Sequence, residues 1–159
     1  MIKVTVIALS HTKEKYFKDA AEEYKKRLSR YCKLDIIELE PERLPDNPSR
    51  ALIDAALKKE AQDIMKKIPD GSKTVAMCVE GKSISSEKFA EMISGCAMES
   101  GSVTFIIGSS YGLCEELKKK CSLRISASDM TFPHQLFRIM LLEQIYRAFK
   151  IIEGGTYHK

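Results

Sequence analysis

A single-domain α/β fold with a mainly parallel sheet flanked by helices is what this sequence predicts, and three observations predict it. Strand-like and helix-like apolar periodicities alternate from one end of the chain to the other. The length, 159 residues, suits one domain of about 100–200 residues. The Pro-rich stretch at 41–48 is too short to divide the chain, so 1–159 reads as one domain.

Taken in order, IKVTVIAL (Ile2 to Leu9) alternates as a first strand, and KEKYFKDAAEEYKKRLSRY carries apolar residues at helical spacing, Phe17, Ala20, Ala21, Tyr24 and Leu28. LDIIELE (Leu34 to Glu40) is the second strand, which makes a βαβ beginning. After the extended loop, RALIDAALKKEAQDIMKKI is a helix with Ser49 placed to cap it, closed by the turn at Pro69, Asp70 and Gly71. The third strand is KTVAMCVEG (Lys73 to Gly81), followed by a loop GKSISS and a helix capped near Ser85 or Ser86 that runs to about Met98. SVTFIIG (Ser102 to Gly108) is the fourth strand, LCEELKKKC a short helix and SLRISAS a weak fifth strand. Pro133 sits where the first turn of the last helix tolerates a missing N–H.

Composition excludes several classes. No apolar run approaches the roughly 18 residues of a membrane span, and MIKVTVIALS passes straight into a charged helix without a cleavage site, so a cytoplasmic protein with no membrane role is expected. Five cysteines, an odd number without CxxC or a nearby histidine pair, support neither a disulfide framework nor a metal site. A net charge of +4 suits a nucleic-acid partner but is too mild to argue for one.

In a parallel sheet, ligands bind beyond the carboxyl ends of the strands, which selects the loops EGKSISS, GSSYG and SDMTFPHQ. All three are rich in glycine or hydroxyl groups and lead into helices. None is a dinucleotide or P-loop fingerprint, and Gly81, Gly108 and Gly112 serve equally as tight-turn or ligand-approach residues. The last helix, with Leu136, Phe137, Ile139, Met140, Leu141, Leu142, Ile145, Tyr146 and Phe149, is apolar nearly all round and is expected to lie in a subunit interface. Its few charges are Arg138, Glu143 and Arg147, the last two spaced as a helical ion pair. His134 reads either as a core or capping histidine or as part of a site, and His11 as a loop or capping residue. Beyond Gly154 and Gly155 stand Tyr157, His158 and Lys159, either a frayed end or an arm that docks onto something.

The stretch SASDMTFPHQ (Ser126 to Gln135), the run LLEQIYRAFKI and the ending GGTYHK together resemble the ribosomal RNA large subunit methyltransferase H family, a small member of the SPOUT class. The resemblance extends over the whole chain. It implies a homodimer whose C-terminal part is threaded into a deep trefoil knot, an exception to the rule against knotted chains. It also implies S-adenosyl-L-methionine as methyl donor, and ring N3 of a pseudouridine in helix 69 of 23S rRNA, within the assembled ribosome, as target. By motif, the cofactor-binding positions would be Met77, Gly81, Gly108, Ala127, Ser128, Asp129, Met130, Thr131 and Phe132, with no metal. His158 is the expected group to contact or deprotonate the base and Tyr157 to orient it, with Arg138 or Lys159 holding phosphate or developing charge. Three residues depart from the family pattern: Met77 for a leucine, Ser109 for the second glycine of IGG, and Thr156 for a proline. Serine at 109 would strain the turn if that position needs a positive φ. Alternative readings are a SPOUT enzyme acting on tRNA and a non-catalytic ribosome-associated module; a cysteine-dependent transferase would have to use Cys114.

Overall fold

The computed structural model describes residues 1–157, and His158 and Lys159 lie outside the described residues. Strands β1 (Ile2–Ala8), β2 (Cys32–Glu38), β3 (Lys73–Ser83), β4 (Ser102–Ile107) and β5 (Leu123–Ser126) alternate with helices α1 (Lys15–Leu28), α2 (Arg50–Met65), α3 (Ser86–Glu99), α4 (Glu115–Lys120) and α5 (His134–Ile152). The sheet order is β2-β1-β4-β3-β5, and every neighbouring pair is parallel. Alternation along β1 sends Val4, Val6 and Ala8 to one face, against α1, α3 and α5, and Ile7 to the other, against α2 and α4. The central strand β4 is buried at all of its positions, as a strand covered on both faces must be.

Capping fixes the helix starts. Ser49 accepts a hydrogen bond from the Leu52 N–H at 3.3 Å and Ser85 one from the Lys88 N–H at 3.2 Å. Pro133 stands one position before the helix, as the cap of α5, and its carbonyl accepts from the Phe137 N–H at 2.9 Å. Leu141, Leu142, Ile145, Ala148 and Phe149 bury one face of α5 against α1 and α3. Each large apolar side chain buried in this way contributes about 1.5–3 kcal/mol.

Two boundaries differ from the sequence expectation. Strand β2 begins at Cys32 and ends at Glu38, because it pairs in register with β1 from Ile2 onward. The segment expected as a loop after Gly81 is instead the end of β3. Both Met77 and Lys82 pair with Ile125, and the intervening 78–81 bulge out of the ladder. Gly81 makes this return possible: a Cβ there would lie 2.6 Å from the Ile125 carbonyl carbon.

Candidate active site at the carboxyl ends of the strands

The bulge of β3, the turn after β4 and the loop between β5 and α5 converge on one crevice of about 330 Å³. Its wall includes Met77, Gly108, Ala127, Ser128, Met130, Thr131 and Phe132, seven of the positions expected from sequence. Gly81 and Asp129 are not on it: Gly81 is taken up by the β3–β5 junction, and Asp129 is exposed. The crevice also takes Glu80 and His134, from the loops EGKSISS and SDMTFPHQ that the sequence selects, and Cys78, Val79, Lys118 and Phe137, which sequence reading did not place there. A strand run of MCV gives no sign of a bulge, so the signal for Cys78 and Val79 was absent.

Each loop is held by its own backbone. In the first, the Gly112 N–H donates to the Ser109 carbonyl at 2.8 Å, and a Cβ on Gly108 would lie 2.4 Å from the Gly112 carbonyl oxygen. Positive φ falls on Gly112, at 83°, and not on Ser109, so serine is unstrained at 109. Its hydroxyl donates to Glu60 Oε2 at 2.9 Å. In the second loop, Ser126 Oγ donates to the Ser128 carbonyl and Ser128 Oγ accepts from the Met130 N–H, each at 3.0 Å.

The crevice is largely apolar, with a paired Glu80 and Lys118 at its rim. Burial opposes the charge on Lys118, but hydrogen bonds to Glu80 and Glu115 outweigh it and keep the ammonium protonated. Arg124 pairs with Glu115 as well, at 3.2 Å, so the two carboxylates are balanced by two cations and the cluster carries no net charge. Burial holds the His134 imidazole below its ordinary pKa and therefore neutral, and pushes the Cys78 thiol up, which removes its thiolate from use. Cys114 is a buried free thiol at the start of α4, with no described histidine among its partners. No group of three or more His, Cys, Asp or Glu able to hold a metal occurs among the described residues. No helix among them is long and apolar enough to cross a membrane.

The two arginines of α5 have separate surroundings. Arg138 is 2% exposed and is not brought to the crevice. Its Nη1 donates to Glu38 Oε1 and to Thr12 Oγ1, the latter at 2.5 Å, and its Nη2 to the Ser10 carbonyl at 2.7 Å. Its two terminal nitrogens are used in this way, while its Nε–H has no partner among the described residues. His11, also tied to Glu38 and to Glu40, belongs to the same cluster. Arg147 pairs with Glu143 Oε1 at 2.7 Å, as its spacing predicted, and also stands over the Tyr157 ring at 4.9 Å. Tyr157 meets the Tyr146 ring edge-on at 5.1 Å, so the described part of the tail docks on the last turns of α5. The ion-pair reading of Arg147 was correct but incomplete, because spacing along a helix cannot show what returns to it after two glycines.

Comparison with known proteins agrees with this geometry. The family model described as "Predicted SPOUT methyltransferase" matches residues 2–158. A Clostridium perfringens protein named ribosomal RNA large subunit methyltransferase H 1 is 49% identical over 159 residues, covering 99% of this chain and 100% of that one. A Clostridium botulinum protein named ribosomal RNA large subunit methyltransferase H is 46% identical with the same coverage. A solved structure of a probable methylase family protein from Haemophilus influenzae aligns with a TM-score of 0.57 at 16% identity, covering 100% of this chain and 72% of that one, and shares the fold. A parallel α/β sheet whose strand-end loops close on one crevice, and a family match over almost the whole length, lead to one conclusion: the chain belongs to the SPOUT methyltransferase family.

Proposed function

We propose that this protein methylates ring N3 of a pseudouridine in helix 69 of 23S rRNA on the assembled ribosome, in the cytoplasm, with S-adenosyl-L-methionine as donor, and that it works as a homodimer. The observation that carries the reading is the convergence of the Met77, Gly108 and Ala127–Phe132 segments on one crevice. Its apolar wall, its looped backbone and its neutral His134 fit a cofactor with an adenine ring and an uncharged surround to its sulfur, with the Glu80 carboxylate the one acidic group on the wall among the described residues. The trefoil knot expected of the C-terminal part belongs to the same reading.

When bound there, the cofactor supplies a methyl carbon on a positively charged sulfur. The backbone of 127–132 and of 108–112 would hold and orient it, with Phe132 and Phe137 excluding water. For methylation at N3, the N3 proton must leave. His158, which lies outside the described residues, is assigned as the group that takes or shares this proton. Tyr157, positioned by Arg147 and Tyr146, orients the base. Arg138 acts only by holding the start of α5 to β1 and β2.

Two features support the dimer in this reading. Ile84, Phe89, Phe137, Ile139 and Met140 line an apolar groove of about 510 Å³ between α3 and α5, with Leu136 beside it 37% exposed, and a second copy of the chain would cover it. Within one chain, moreover, the tail docks at Tyr146 while the crevice meets α5 at His134 and Phe137, about 14 Å away along the helix axis. A site completed by the partner's tail removes that gap.

The test is transfer of labelled methyl from S-adenosyl-L-methionine to ribosomes lacking this modification, beside naked 23S rRNA and tRNA, with the labelled nucleoside identified. Label in N3-methylpseudouridine on ribosomes alone is expected. Label on tRNA, or cofactor binding without label on any substrate, would overturn the target or the activity respectively.

A further inference from the structure

We propose that Glu60 is a positioning residue for the cofactor crevice: it holds the Ser109 hydroxyl and so fixes the 108–112 turn as the crevice wall. The proposal rests on reading that crevice as the S-adenosyl-L-methionine site. Glu60 lies on α2 among Ala56, Ala61 and Ile64 and is 5% exposed, an expensive place for a carboxyl group. The other buried charge named above, Arg138, has Glu38 as counterion. Glu60 has no cation partner among the described residues. What it has instead are two loop donors. Oε2 accepts from Ser109 Oγ at 2.9 Å, and Oε1 accepts from the Glu42 N–H, in the Pro-rich loop, at 3.0 Å.

Ser109 needs such an anchor because of where its segment runs. Ser109, Ser110 and Tyr111 line the crevice on one side. On the other they line a second cavity of about 390 Å³, whose wall also includes Glu60, Glu42 and Leu44. The segment is thus a partition with space on both sides, and packing alone does not set its position. The turn bond from Gly112 closes the loop on itself, and the bond to Glu60 is the one side-chain hydrogen bond among the described residues that ties Ser109 to the helix layer. Releasing Ser109 lets the partition shift toward the second cavity and widens the crevice against its ligand. The glycine that the family pattern leads one to expect at 109 has no hydroxyl, so this anchor belongs to chains carrying serine there.

The experiment measures S-adenosyl-L-methionine Kd by calorimetry for the wild type, Ser109→Ala, Glu60→Gln, Glu60→Ala and the double variant S109A/E60A. Amide exchange at Gly112 is followed in the ligand-free proteins. Ser109→Ala and Glu60→Ala are each expected to raise Kd about tenfold, the range of a hydrogen bond to a carboxylate. The double variant is expected to be no worse than Glu60→Ala alone, because both remove one shared bond. Glu60→Gln stays within about twofold, since its amide accepts from the Glu42 N–H and donates to the Ser109 hydroxyl. Gly112 exchanges faster in Ser109→Ala, with the unfolding midpoint unmoved. Wild-type Kd in Ser109→Ala, or additive losses in the double variant, overturns the proposal. A wild type that does not bind the cofactor sinks the reading of the crevice instead. The anchor is then decided by exchange alone, and an unchanged Gly112 rate in Ser109→Ala refutes it.

Discussion

Arg138 and Arg147 sit on one helix, nine positions apart, and the structure uses them in opposite ways. Arg138 is enclosed, with Glu38, Thr12 and Ser10 taking up donors of its two terminal nitrogens, and it joins the start of α5 to the ends of β1 and β2. Arg147 is half-buried, paired to Glu143 within its own helix, and turns its remaining face to the ring of Tyr157. An arginine serves structure when the surrounding fold supplies acceptors for its terminal nitrogens, and can serve a site when it keeps a face for a neighbouring segment.

The largest effect should come from removing what Arg147 faces. Deleting Tyr157 to Lys159 takes away its ring partner and the assigned proton acceptor, and should lower methyl transfer to ribosomes by about 10³-fold or more. Cofactor Kd and the unfolding midpoint should stay unchanged, because nothing around Arg138 is touched. Loss of folding along with activity would mean that the tail is structural, and the contrast between the two arginines would collapse.

Arg138→Met should act the other way. It removes the guanidinium counterion of Glu38 and the donor to the Ser10 carbonyl, leaving Glu38 with His11 and Thr12 alone among the described residues, a loss of about 3 kcal/mol. The unfolding midpoint should fall by about 10 °C. Turnover per folded molecule, measured well below that midpoint, should be nearly normal. A folded, stable variant that has lost turnover would return Arg138 to the chemistry.

Arg147→Leu should be milder than either. It removes a cation–π contact and a half-exposed ion pair, so transfer should drop about tenfold while stability changes by under about 1 kcal/mol. A KM for ribosomes that rises with kcat unchanged would make Arg147 a docking residue rather than one that orients the tail.

Most of the fold was legible because each strand and helix carries its own periodicity and its own caps, Ser49 and Ser85 among them. What periodicity could not show was the bulge at 78–81, which depends on Gly81 pressing against the backbone of Ile125. The crevice loops were legible as motif positions, and seven of the expected residues do meet. The two arginines were not separable from sequence. What distinguishes them is whether β1 and β2 deliver a carboxylate and a carbonyl to the same point, and those groups lie about a hundred residues or more away along the chain. At Ser109 the condition for strain, a positive φ, does not hold, and its hydroxyl partner on α2 was beyond an argument from local backbone.

The smallest effect is the pH dependence of the Arg138 cluster, and it tests whether that cluster acts as a unit. Burial would raise the Glu38 carboxyl, but hydrogen bonds from Arg138, His11 and Thr12 outweigh it and bring its pKa down to about 2. A depressed carboxyl gives stability that is full above its unfolded value of 4.5 and is lost as pH falls toward about 2. Hydrogen bonds to Glu38 and then Glu40 raise His11 above 6.5, so its contribution is full below 6.5 and is lost as pH rises through the raised value. Together they should favour the fold most between the two limits. His11→Ala should therefore remove the upper limb of the stability curve and leave most of the acid limb. Arg138→Met should flatten the acid limb, and Arg147→Leu should leave both in place. An acid limb that survives in Arg138→Met would mean that other carboxylates carry it, and that Arg138 is packed in place without being electrostatically required.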